Sequence, residues 1–317
     1  MEFRSQRLAI SLVSALVLGR TLPAEAADLV GMIGSCGQYY SEFRQKMVGY
    51  CRDRSRPDLP NESGEPVVYF MHGALWNSRQ WFYRGYSEDL KKLAKQEKLP
   101  AFTVVSFDTS GFGFFSDEGD VHTGKDAHET WFLQEFMPWA EKKFSLCQAR
   151  NCRMVIGSSM GGYGALKTAL RHPHLFSAAG ASAGAVLPAN IWAWSLEEWT
   201  AYFGTKPIGE SVGKRFIEEL RNLNPTPEHY DAQDPVVLGA QRVKDALRPA
   251  LYFDVSGGDQ FGFEDGFARL DKTLTEVGYP HETYFDPDGT HFDNRNTRPH
   301  LLRFTAEIVR RMEGASQ

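Results

Sequence analysis

The sequence predicts an α/β fold, a mainly parallel central sheet with helices on both faces and a helical cap insertion. Three observations predict it. Buried-looking apolar runs alternate with segments of helical periodicity from residue 66 onwards. Such alternation implies parallel strands joined by crossover helices, which cover both faces of the sheet. At 317 residues and 42% hydrophobic, the chain can bury one large core or two modest ones. The stretch 185–248 then interrupts the alternation and reads as the cap, lying over the carboxyl ends of the strands, where open α/β sheets place their ligands.

In chain order, GQYYSEFRQKMVGYCRDR (37–54) reads as a two-stranded antiparallel start to the sheet. PVVYFMHG (66–73) and FTVVSFD (102–108) are buried strands. ETWFLQEFMPWAEKKF (129–144) places Trp131, Phe132, Phe136, Trp139 and Ala140 at helical spacing. RMVIG (153–157) is a strand, and YGALKTALRHP (163–173) is a helix that Pro173 closes. LFSAAGASAG (175–184) and PALYFDVSGG (249–258) are further strands, and FARLDKTLTEVG (267–278) is a helix ending at glycine. ETYFD (282–286) is the last strand, with a terminal helix from about Arg298.

The first 26 residues form a separate unit. Arg4 and Arg7 precede the uncharged run 8–19, and Ala24-Glu25-Ala26 matches a small-x-small cleavage site. That run is shorter than the ~20 residues a membrane span needs. A cleaved signal peptide (1–26), a mature domain (27–317) and a secreted or periplasmic location follow as expectations. A lipoprotein attachment at Cys36 is the weaker alternative. Export makes the four cysteines disulfide candidates, and proximity favours Cys36 with Cys51 and Cys147 with Cys152. A net charge of −5 without any basic block speaks against nucleic acid as a partner. No CxxC or HExxH pattern suggests a metal.

The chemistry concentrates in VIGSSMGGYGAL (155–166). Gly157-Ser158-Ser159-Met160-Gly161 fits G-x-S-x-G with Ser159 central, after a strand and before a helix. A serine on so sharp a turn projects its hydroxyl at the top of the sheet, beside backbone N–H groups that stabilise developing negative charge. Partners should follow as acid and then histidine. His291, in FDPDGTHFDN beyond the last strand, can reach back over Ser159. His281 lies at that strand's far end and His300 in the terminal helix region. Asp259 follows Gly257-Gly258, which is expected to supply a positive-φ turn out of the sheet. Asp254 lies within the strand, and Glu264 and Asp265 begin the next helix. The oxyanion donors are the N–H of Met160 and that of Ala74 or Leu75. His72 reads as a loop-fixing residue.

These residues resemble the esterase D-like esterases. The resemblance rests on YFMHG…W (69–81), FFSDE (114–118), the 129–144 helix, GSSMGGYGALKTALRHPHLFSAAGASAG and GGDQF…DGTHF. It covers roughly 66–184 and 249–300. It implies an α/β-hydrolase fold and Ser159, Asp259 and His291 as the triad. The family includes S-formylglutathione hydrolases, feruloyl and acetyl-xylan esterases, enterochelin esterases and mycolyltransferases. The cap and the first 60 residues carry no subfamily signature, and the signal peptide argues against a cytosolic S-formylglutathione hydrolase. The implied reaction is cofactor-free hydrolysis of a small-molecule or carbohydrate-linked ester. The rivals are acyl transfer to a sugar or lipid hydroxyl, with Trp192, Trp194 and Trp199 as an acceptor platform, and a non-catalytic binding protein.

Overall fold

The central strands of the sheet are buried on both faces, whereas the strand that precedes His291 is largely exposed. In a computed structural model, residues 35–109, 111–117 and 127–314 are described; the expected signal peptide lies outside them. The strands are β1 (Ser35–Ser41), β2 (Lys46–Arg54), β3 (Val67–Met71), β4 (Thr103–Phe107), β5 (Arg153–Ser158), β6 (Ala178–Ser182), β7 (Ala250–Gly258) and β8 (His281–Thr290). They form one sheet in the order β1-β2-β4-β3-β5-β6-β7-β8. β1 and β2 are antiparallel, β2 meets β4 antiparallel, and every pairing from β4 to β8 is parallel. All five residues of β3 are buried. Val67, Tyr69 and Met71 pack on one face with Phe107 and Phe132, while Val68 and Phe70 pack on the other with Trp81 and Leu301. Period-two alternation therefore feeds both cores from a single strand.

The helices are α1 (Gln80–Tyr83), α2 (Tyr86–Gln96), α3 (His128–Trp131), α4 (Met137–Phe144), α5 (Met160–Arg171), α6 (Leu196–Gly204), α7 (Glu210–Leu223), α8 (Pro227–Asp231), α9 (Pro235–Arg242), α10 (Phe263–Val277) and α11 (Thr297–Gly314). The helix expected over 129–144 is interrupted by a π-turn at Phe132–Phe136. Pro138 has no N–H to give Gln134, so the ladder widens just ahead of it. The widening aims both Phe132 and Phe136 at Phe107, each 4.7 Å between ring centroids. It also lets Glu135 accept hydrogen bonds from Ser41 Oγ and the Glu42 and Phe43 amides, which tie down the β1–β2 turn.

Four helices, α6 to α9, occupy the expected cap. α6 starts on a capping box in which Ser195 and Glu198 bond each other's backbone N–H. α9 starts on Asp234, whose carboxylate accepts the Val236 N–H. α9 packs against α5 and α10 and so belongs to the layer flanking the sheet. Among the described residues, no helix is long and apolar enough to cross a membrane.

Both expected disulfides are present. Cys36 and Cys51 face each other across the β1–β2 register, which removes the thiol that a lipoprotein attachment at Cys36 would need. Cys147 joins Cys152 at the entry to β5. Loop-closure entropy for a sequence separation of 15 predicts that Cys36→Ala/Cys51→Ala loses about 3 kcal/mol of stability. The five-residue separation of the second pair predicts a loss of about 2 kcal/mol. Denaturant unfolding of the two double variants checks both values and their order.

Candidate active site

Ser159 sits between β5 and α5 with φ 58° and ψ −123°. A non-glycine residue adopts such angles only when its surroundings fix them. Three backbone hydrogen bonds do so. The Ser159 N–H donates to Ser182 O at 2.9 Å, and its carbonyl accepts from Tyr163 N at 3.1 Å and Ala185 N at 3.0 Å. The flanking glycines leave the space the turn needs. A Cβ on Gly157 would stand 2.1 Å from Gly161 O, and one on Gly161 would stand 2.0 Å from Met71 O. Ser158 ends β5 and stays paired with Ser182 in the sheet; the turned residue is Ser159.

The two expected partners meet it. His291 Nε2 is 2.9 Å from Ser159 Oγ, and His291 Nδ1 is 2.7 Å from Asp259 Oδ2. Sheet register accounts for the second contact. Gly258 pairs with Thr290 in parallel, so the next residue of each strand, Asp259 and His291, leaves the sheet side by side. This corrects two expectations. The last strand runs to Thr290 rather than 286, so His291 follows it directly. Gly257 and Gly258 lie within β7, and neither takes a positive φ. They are needed for close approach, since a Cβ on Gly258 would lie 2.8 Å from Gly289 O and one on Gly257 would lie 3.0 Å from Phe285. The positive-φ turn falls later, at Gly262 (φ 75°).

Asp259 is buried, and its other oxygen accepts the Phe261 N–H at 2.9 Å. The His291 ring is edged by Phe261, Phe263 and Phe292 at centroid distances of 4.6, 5.4 and 5.2 Å. Its backbone N–H donates to Gln260 Oε1 at 2.9 Å. His281 is turned away, bonded to Asp271 and the Tyr279 carbonyl, and His300 stacks on Tyr284. Glu264 and Asp265 lie in the first turn of α10.

Asp254 has a different environment. It is buried within β7 and accepts hydrogen bonds from Ser182 Oγ (2.9 Å), Ala183 N (3.2 Å) and Tyr252 OH (3.0 Å). Burial pushes its carboxyl up to about 7, against the lowering effect of those donors.

On the other side of Ser159 lies the loop after β3. His72 is fully buried. Its Nδ1 donates to Gly73 O at 2.7 Å, and its Nε2 accepts the Thr109 N–H at 3.0 Å. It fixes this loop, as expected, and burial lowers its pKa. Gln80 Oε1 takes the Gly73 N–H at 2.7 Å, and Leu75 N–H donates to Gly111 O at 3.3 Å. The N–H groups of Ala74 and Met160 have no acceptor among the described residues. Of the two loop candidates, Ala74 is therefore the one with a free donor.

Two supports were not legible in the sequence. Lys167, fully buried on α5, donates to Phe115 O (2.6 Å) and Ser116 Oγ (2.7 Å) and pairs with Glu129 at 3.3 Å. Burial brings its pKa down to about 8, with Glu129 acting in the opposite sense. For Glu129, burial acts upward, but Lys167, His172 and Arg171 outweigh it and hold the carboxyl at about 2. The second support is a clamp from the insertion to the acid loop. Ile208 N–H donates to Gln260 O at 3.0 Å, and Tyr202 OH bonds Gly262 O and Asp265. Lys206 pairs with Glu264 (2.8 Å) and Asp265 (2.7 Å). The insertion's tryptophans are packing residues. Trp199 is buried and bonds Ile191 O, Trp192 bonds Asn224 O beneath Arg221, and Trp194 packs on Trp199.

Comparison with known proteins fits this geometry. The family model described as "Putative esterase" matches residues 54–277. The chain belongs to this esterase family. It is 27% identical over 295 residues to esterase Rv1288 of Mycobacterium tuberculosis, covering 88% of this chain and 60% of that protein. The chain thus spans about three fifths of the length of that relative. Among solved structures, a ferulic acid esterase superposes with TM-score 0.63 at 20% identity, covering 87% of this chain and 98% of that one. An S-formylglutathione hydrolase from Staphylococcus aureus gives TM-score 0.61 at 18% identity, with coverages of 87% and 98%. The shared fold is that of the α/β-hydrolases.

The two aspartates should separate cleanly. Asp259→Asn should lower kcat by roughly 10²–10⁴-fold with the fold intact, because the amide favours the wrong imidazole tautomer. Asp254→Asn should act on stability, by ~1–3 kcal/mol. The native Asp254 carboxyl titrates near 7 and an unfolded one near 4. The unfolded state therefore loses this proton first, and the contribution of Asp254 to stability falls as pH rises from about 4 to about 7. The stability advantage of wild type over Asp254→Asn should be largest near pH 4. Kinetics and unfolding of both variants across that range check this.

Proposed function

We propose that this protein is a serine carboxylic-ester hydrolase whose nucleophile is Ser159. One observation carries the reading: Ser159 Oγ, His291 and Asp259 form a continuous hydrogen-bonded line, 2.9 and 2.7 Å, at a strained strand-to-helix turn.

In the first half-reaction, Ser159 Oγ attacks the ester carbonyl carbon and its proton passes to His291 Nε2. Asp259 accepts the Nδ1–H bond throughout, which fixes the tautomer and stabilises the imidazolium. The carbonyl oxygen gains negative charge and takes the Met160 and Ala74 N–H groups, which have no other acceptor among the described residues. The N-terminal end of α5 adds its dipole. Collapse of the tetrahedral species breaks the bond to the leaving alkoxide, which receives the proton from His291, and the acyl group stays on Ser159. A water then gives its proton to His291 and attacks the acyl carbon. The second collapse releases the carboxylic acid and returns the proton to Ser159. Trp199 is buried in the insertion, and Trp192 and Trp194 are half-buried with partners there, which favours hydrolysis over transfer to an acceptor held on these rings.

We further propose that the protein works outside the cytoplasm, in the secreted or periplasmic space. The charged-then-apolar N-terminus and the two disulfides support that location. The substrate class is a small-molecule or carbohydrate-linked ester.

Hydrolysis of p-nitrophenyl, feruloyl and acetylated-sugar esters, followed as acid release, tests the reading. Ser159→Ala should lower kcat by on the order of 10⁴–10⁶-fold, whereas Ser158→Ala should retain most activity. Full activity in Ser159→Ala would overturn the assignment.

A further inference from the structure

Buried aromatic side chains are abundant here, which makes one exposed tryptophan conspicuous. Of seven tryptophans in the chain, Trp81, Trp131 and Trp199 are fully buried. Trp139 stacks on Tyr39, and Trp192 and Trp194 pack within the insertion. Trp76 is 42% exposed. It is also two residues from Ala74, whose N–H has no acceptor among the described residues.

The local backbone shows how it comes to be there. A four-residue turn closes from Gly73 O to the Trp76 N–H at 3.1 Å. The third position of that turn is Leu75, at φ 63°. Glycine or asparagine ordinarily supplies a positive φ at this point, because a branched side chain is strained there. Leu75 is held in it by the bond from its N–H to Gly111 O, yet its side chain is 41% exposed. Leu75 is thus strained and exposed at once, a combination that core packing does not account for. Tyr83, at the end of α1, is exposed as well, and its ring lies 6.5 Å from that of Trp76.

This apolar ledge adjoins the reacting centre. Gly73, which starts the turn, lies against the nucleophile, since a Cβ on it would stand 3.4 Å from the Ser159 Cβ. Leu75 and Trp76 are the next residues in the chain after Ala74, so an ester whose carbonyl oxygen takes the Ala74 and Met160 N–H groups holds its substituents near them. We propose that Leu75, Trp76 and Tyr83 form a binding subsite for an apolar or aromatic group attached to the ester, so that the substrate carries a hydrophobic substituent next to its scissile carbonyl. The inference rests on the hydrolase reading given above. Burying such a group against an exposed indole removes apolar area from water on both partners, and the open indole face suits a planar ring or an alkyl chain.

That substituent can be the acyl chain or the alcohol, and two series of esters distinguish them. One holds p-nitrophenol constant and lengthens the acyl chain from acetate through butyrate to octanoate. The other holds acetate constant and enlarges the alcohol from methyl through phenyl to 2-naphthyl. For wild type, Trp76→Ala, Trp76→Phe and Leu75→Ser, kcat/KM for the largest ester is divided by that for the smallest in each series. Comparing these ratios between variants cancels the intrinsic reactivity of the esters. In one series, Trp76→Ala should lower the ratio about tenfold, mainly through KM, while Trp76→Phe retains most of it. Leu75→Ser should lower it in the same series. The responding series identifies which half of the ester binds the ledge. Equal melting temperatures separate lost binding from lost fold. A ratio within twofold of wild type in both series, for both Trp76→Ala and Leu75→Ser, overturns the subsite while leaving the hydrolase reading in place. A wild type that hydrolyses no ester in either series overturns the hydrolase reading, and the subsite with it.

Discussion

The backbone of Ser159 is the constraint on which the rest of the site depends. A serine at φ 58° is unfavourable in isolation, and here two chain crossings with no room for a Cβ hold it there. Gly157 meets the first turn of α5, and Gly161 meets the carbonyl end of β3. The turn is therefore locked to the strand whose following loop carries the free Ala74 N–H. Ser159 and the Ala74 N–H are set relative to one another by these backbone contacts together with the His72 and Gln80 side chains that hold Gly73. The opposite side of the site is fixed by sheet register, since the pairing of Gly258 with Thr290 leaves Asp259 and His291 adjacent.

The features legible in the sequence were those set by short-range chemistry. Predominantly apolar runs located β3, β4 and β5, and the G-x-S-x-G spacing located Ser159, because only glycines fit at those crossings. Asp259 and His291 followed from their positions after late strands. Features that depend on residues distant in the chain were not legible. The sequence does not announce that Pro138 widens the preceding turn, since the gain comes from Phe107 on another element. Lys167 looks like an ordinary helix lysine, and only the fold buries it against Glu129 and the Phe115 carbonyl. Gly257 and Gly258 do not supply the positive-φ turn that the sequence suggests. They admit the neighbouring strand rather than make a turn.

The insertion between β6 and β7 also takes on a definite role. Trp199 is buried in it, and Tyr202, Lys206 and Ile208 bind the segment that holds Asp259 and Gln260. Gln260 in turn accepts the His291 N–H. The insertion thus holds the segment of Asp259 and His291 through a polar clamp, while the exposed Trp76 lies in the loop after β3. Loops held by a rigid sheet are where such variation in specificity is tolerated. The same sheet can accommodate different esters by changing residues such as Leu75 and Trp76 without disturbing the elbow.

The central claim is that Ser159 is the reactive nucleophile, activated by His291. The most direct measurement is covalent labelling by a fluorophosphonate probe, followed by peptide mapping of the intact wild-type chain and of His291→Ala. The account predicts one label per chain on Ser159 in the wild type and a labelling rate at least about 100-fold slower in His291→Ala. Label on Ser158, or an equal rate without His291, would contradict it.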